Sequence, residues 1–103
     1  GEKFGLLIDT YISDGQKRMD LLDQALVNDD LVAIENEAHA IKGSSRNLGI
    51  LVLAKLSEEI ESEARQRATQ GLNAQKGFEQ KISALKQEFA ASCDELSRIH
   101  KAT

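Results

Sequence analysis

The sequence has no proline and no tryptophan, one cysteine, and only one Tyr and three Phe in 103 residues. Without proline, no helix must end or kink for want of a backbone N–H. With so few aromatics, the core has to be built mainly from aliphatic side chains. Cys93 has no partner in the chain, so an intramolecular disulfide is impossible and a reducing compartment is the simpler setting. No basic block exceeds Lys17-Arg18, and the net charge is -4. A nucleic-acid binder would need a basic footprint for the phosphates, and an anionic membrane surface is an equally poor partner. The longest apolar run, Ile50 to Ala54, is far short of the roughly 20 residues of a membrane span. The start, Gly1-Glu2-Lys3-Phe4, does not resemble a signal peptide. Two histidines far apart in sequence, with no ligand cluster, give no reason to expect a metal or other cofactor. The expectation is one soluble, cytoplasmic domain over residues 1–103, with neither nucleic acid nor membrane as partner.

What is plentiful is Ala, Leu, Glu, Gln and Lys, side chains that lose little rotamer freedom in a helix. Apolar spacing and breaker residues predict four amphipathic helices. The first runs from Phe4 to Val27 and carries Phe4, Ile8, Tyr11, Gly15, Met19, Leu22 and Leu26 on one stripe. Gly15 either admits a close neighbour or marks a bend, and both readings stay open. Asn28-Asp29-Asp30 separates this helix from the next, with Asp30 as the N-cap. The second runs from Leu31 to Leu48, with Ile34, Ala38, Ile41, Ser45 and Leu48 inward. The Ser45 hydroxyl is expected to bond a carbonyl of the preceding turn, and Gly49 to supply the left-handed cap. The third covers Ile50 to Thr69, buries Leu53, Leu56, Ile60 and Ala64, and stops at Gly71. Asn73 is expected to cap the fourth, which runs to His100 with Phe78, Ile82, Leu85, Phe89, Cys93 and Leu96 inward. Long helices joined by short connections should be antiparallel neighbours, giving an all-α, up-down four-helix bundle.

One segment of the second helix stands out: Ala38-His39-Ala40-Ile41-Lys42-Gly43-Ser44-Ser45-Arg46-Asn47-Leu48-Gly49. At about 100° per residue from the centre of the buried stripe, His39 falls at roughly 140°, Lys42 at 80°, Arg46 at 120° and Gly43 at 180°. An exposed imidazole, two cations and a missing side chain therefore share one face. An exposed histidine ordinarily keeps a free nitrogen lone pair near neutral pH, so it can attack phosphorus. Lys42, one turn away, can offset the charge of the phosphoramidate product. Gly43 removes a side chain beside the ring, which lets a partner come close. Nothing in the chain handles ATP: there is no Walker loop and no kinase-like Gly-rich loop. The phosphate has to come from another protein.

These residues resemble the histidine phosphotransfer domains of two-component phosphorelays. The match is Ala38-His39, Lys42-Gly43-Ser44 and Leu48-Gly49 at the family's spacing. The Asp30 cap and a third helix containing Glu58-Glu59-Ile60-Glu61 support it. The resemblance implies a four-helix bundle, phosphorylation of His39 at Nε2, Lys42 assisting the phosphate and Gly43 giving clearance. It also implies receiver domains of response regulators as partners and a sensor or hybrid histidine kinase as phosphate source. Glu35, Ala40, Gly43 and Arg46 are the expected docking residues.

Other readings explain less of the chain. A lone histidine on a helix is usually a surface residue, and His100 fits that description. Ser44 and Ser45 lack any base to activate them and read as packing residues. Cys93 reads as a small core hydrophobe. Glu35, Glu37 and the acid-rich third helix read as solvated faces. The dimerisation segment of a sensor kinase would have an acidic residue after the histidine and a proline soon afterwards; here Ala40 follows and proline is absent. A helical adaptor without chemistry would leave His39, Lys42 and Gly43 together as coincidence. A free-standing monomer is expected in preference to a domain cut from a larger kinase.

Overall fold

A computed structural model describes residues 2–73 and 77–102 of the chain. Four helices form in order: α1 (Glu2–Val27), α2 (Leu31–Asn47), α3 (Leu51–Thr69) and α4 (Phe78–Ala102). Local chemistry sets their ends. The Asp30 carboxylate accepts the Ala33 N–H at 3.1 Å, as its position as N-cap predicts. The C-termini of α1, α2 and α3 all close with paired hydrogen bonds of the Schellman type, for example Gly49 N–H to Arg46 and Ile50 N–H to Ser45. Gly49 and Gly71 adopt the positive φ this geometry requires, and Asp29 takes it at the end of α1.

Asn73 does not cap α4, because that helix starts at Phe78. Gly77, at φ 97°, stands immediately before it and sets the entry of the chain. Arg67 braces this corner. Its guanidinium lies 4.6 Å from the centre of the Phe78 ring and also donates to the Asn73 carbonyl.

The helices pack in a ring, each against its two neighbours, in an antiparallel up-down bundle of 49 × 19 × 17 Å. Most of the expected stripes are buried: Ile8, Tyr11, Met19 and Leu22 on α1, Ile34, Ala38, Ile41 and Ser45 on α2, and Phe78, Ile82, Leu85 and Phe89 on α4. Phe4 is exposed, while Leu26, Leu48, Leu56, Cys93 and Leu96 pack at the margin of the core. Gly15 admits a close neighbour, since a Cβ there would run into the Phe89 ring. Ser45 does not bond its own helix; its hydroxyl pairs with that of Tyr11 at 2.8 Å, tying α2 to α1. No described helix is long and apolar enough to cross a membrane.

Candidate functional site

Midway along α2, the buried stripe Ile34, Ala38, Ile41 and Ser45 fixes the rotation of the helix about its axis. His39 follows Ala38 and is thereby turned outward, with 68% of its side chain exposed. Gly43, one turn further, faces open space; a Cβ built there would meet nothing within 4 Å. The outward turn of His39 and the open space at Gly43 are as the sequence predicts.

The residue that organises it was not predicted. Glu61 of α3, read from the sequence as part of a solvated acidic face, is buried, with only 6% of its side chain exposed. One carboxylate oxygen, Oε2, lies 2.6 Å from His39 Nδ1, and the other, Oε1, accepts from Lys42 Nζ at 2.6 Å. Its spacing carried a signal: Ala54, Ser57, Glu61 and Ala64 recur at three and four residues and are all buried. Three small residues give the carboxylate a close approach to α2, the helix that packs most intimately on α3.

The surroundings of Glu61 favour its ionised form. Burial works to raise its carboxyl, but the hydrogen bonds from Lys42 and His39 outweigh it and hold the group below the ordinary carboxylate value. Glu61 is therefore charged, and an ionised carboxylate only accepts hydrogen bonds. Nδ1 of His39 accordingly carries the proton, and in the neutral ring the lone pair is left on Nε2.

Lys42 is more covered than its place on the His39 face suggests. Its side chain is only 16% exposed and is held in the pair with Glu61. Arg46 stands apart from His39, 3.6 Å from Glu58 across the seam. Glu35 accepts from Arg65 Nε at 3.0 Å, and Glu37 from Arg18 at 3.0 Å, so both acids bridge helices and neither is merely solvated. Ala40 is half-buried on the other flank of His39. Ser44 donates to the Ile41 carbonyl and is a helix-packing residue, as expected. The His100 ring packs over the Gly5 backbone, far along the bundle from this site.

The family model of the Hpt domain matches residues 6–98. This chain belongs to the Hpt family. The Hpt domain also resembles a solved structure, histidine-containing phosphotransfer protein B from Pseudomonas aeruginosa PAO1, with a TM-score of 0.79 and 29% identity. That match covers 95% of this chain and 80% of the other. No curated protein matches the sequence. The role of this Hpt domain is histidine phosphotransfer within a phosphorelay, and Hpt proteins pass phosphate to receiver domains of two-component systems.

Proposed function

We propose that His39 is the phosphoacceptor, that it reacts through Nε2, and that the chain carries phosphoryl groups it does not itself generate. The observation that carries this reading is the 2.6 Å contact between His39 Nδ1 and the buried Glu61 carboxylate, on a side chain that is otherwise 68% exposed.

The step balances without an added proton acceptor. The Nε2 lone pair forms the N–P bond while the P–O bond to a receiver's aspartate breaks, and the aspartate leaves as carboxylate with that electron pair. The imidazole becomes cationic, and its Nδ1–H stays directed at Glu61. A fixed negative charge beside a group that turns positive favours the product side of the step and holds the ring in position. The reverse step returns the phosphoryl group to a receiver.

Lys42 is poised to offset phosphoryl charge, drawing its Nζ from the Glu61 pair toward the ring. Gly43 leaves room for the partner, and Glu35, Ala40 and Arg46 belong to the rim that a receiver would cover. On this reading the chain is a monomeric, cytoplasmic carrier that works without a cofactor, loaded from a sensor or hybrid kinase through a receiver.

Incubation with a radiolabelled phosphorylated receiver tests the reading. The parent protein should take up label, and His39→Gln should take up none while keeping its helical content and melting temperature. Label on His39→Gln, or label acquired by the parent from ATP and magnesium alone, would overturn it.

A further inference from the structure

Arg65 lies on α3, one turn after Glu61. Its Nη2 is 3.5 Å from Glu61 Oε2, the same oxygen that His39 Nδ1 approaches at 2.6 Å. Its Nε is 3.0 Å from Glu35 Oε2, and Glu35 precedes His39 by one turn of α2. The guanidinium thus crosses the α2–α3 seam within two hydrogen-bond lengths of the imidazole. Lys42 lies one turn after His39, so the two cations flank the ring from opposite sides.

We propose that Arg65 is a second phosphoryl-contacting cation, stored on Glu35 and Glu61 and released to the phosphoryl group once His39 is loaded; this rests on His39 being the phosphoacceptor. Three features support it. Arg65 is 63% exposed against 16% for Lys42, and its contact with Glu61 is the longer, so it is the cation freer to move. The guanidinium fork matches phosphoryl oxygens in a way an ammonium does not. Loading also makes the ring cationic, which strengthens the hold of Nδ1–H on Glu61 Oε2 and weakens that of Arg65 on the same oxygen. Glu35 is then the remaining competitor and sets how readily Arg65 turns to the phosphate.

The equilibrium ratio of phosphorylated Hpt domain to phosphorylated receiver, measured with one receiver, tests this. Arg65→Ala should lower that ratio about five-fold, and Arg65→Lys should restore part of the loss. Glu35→Gln should raise it about two-fold, because it frees the guanidinium. In the double variant the gain from Glu35→Gln should vanish, a coupling that a purely structural role would not produce. A ratio for Arg65→Ala equal to the parent's, or a Glu35→Gln gain that persists with alanine at 65, would overturn the proposal. Uptake by His39→Gln, run alongside, would instead overturn the phosphoacceptor reading on which it rests.

Discussion

The α1–α4 seam and the α2–α3 seam both bring backbones close, by opposite means. Between α1 and α4, glycine makes room for rings: Phe89 packs over Gly15 and His100 over Gly5, and Tyr11 meets Phe89 at 5.8 Å between ring centres. Between α2 and α3, alanines and serine leave room for a carboxylate, and Glu61 gathers His39, Lys42 and Arg65 around it. The first seam is mainly ring-over-glycine shape-matching, with the Lys86–Asp23 pair at its exposed edge, and serves the fold. The second places charge where burial strengthens it and serves the chemistry. A narrow seam is therefore not by itself a sign of stability or of function; what fills it decides.

Substitutions that trespass on one seam and spare the other sharpen the contrast. The largest effect on stability should come from Gly15→Ala. A methyl group there meets Phe89, and overpacking should cost about 2–3 kcal/mol despite the gain in helix propensity. Urea unfolding reads this as a lower midpoint, while the folded fraction keeps its transfer rate; a parental midpoint would mean that the ring simply steps aside.

Glu61→Ala comes next, with about 2 kcal/mol lost because a largely covered Lys42 is left unpaired. Here transfer should suffer as well, about ten-fold, through loss of the charge facing the ring. Stability and rapid-quench kinetics together separate this seam from the first, and an unchanged transfer rate would make Glu61 purely structural.

A smaller effect is the acid dependence. The Glu61 carboxyl is held below its unfolded value of 4.5, so its contribution is fully present above that pH. The contribution is lost as pH falls through the lower, folded value, because the unfolded chain binds the proton first. The advantage of the parent over Glu61→Gln, about 1 kcal/mol, should therefore shrink below pH 4.5, as followed by urea titrations at several pH values. A gap that holds constant to pH 3 would remove the ionised carboxylate from the account.

The smallest change should be Gly43→Ala, and its sign should be opposite to that of Gly15→Ala. With open space around it, the added methyl should stabilise α2 by up to about 1 kcal/mol. A lower thermal midpoint would show that Gly43 needs its freedom for a reason other than clearance.

Local features were the most legible in the sequence. Asp30, Gly49 and Gly71 each act within a few residues of themselves, and their roles follow from backbone chemistry alone. His39 and Gly43 were legible because the stripe of one helix fixes which way both of them point. Glu61 was not, since a carboxylate among Glu58, Glu59 and Ser62 looks solvated until α2 is laid against α3. The cover over Lys42 was not legible for the same reason: whether a lysine at the edge of a stripe is covered depends on the partner helix. The Ser45–Tyr11 bond likewise needed the α1–α2 pairing. Asn73 has the side chain of an N-cap, but the backbone break at Gly77 sets where α4 begins.

The ring order of the helices bears on how the molecule assembles. Three of its seams join helices that follow one another in the chain, and only α1 with α4 brings distant ends together. The entropy of loop closure falls mainly on that last seam, so hairpins can zip ahead of it. The α2–α3 hairpin holds His39 and Glu61 only 22 residues apart, across a turn with its own hydrogen bonds. Amide protons of α4 should then exchange before those of α2, since α4 can peel away by breaking the nonlocal seam first. Fraying of that kind would leave the phosphate-bearing hairpin standing.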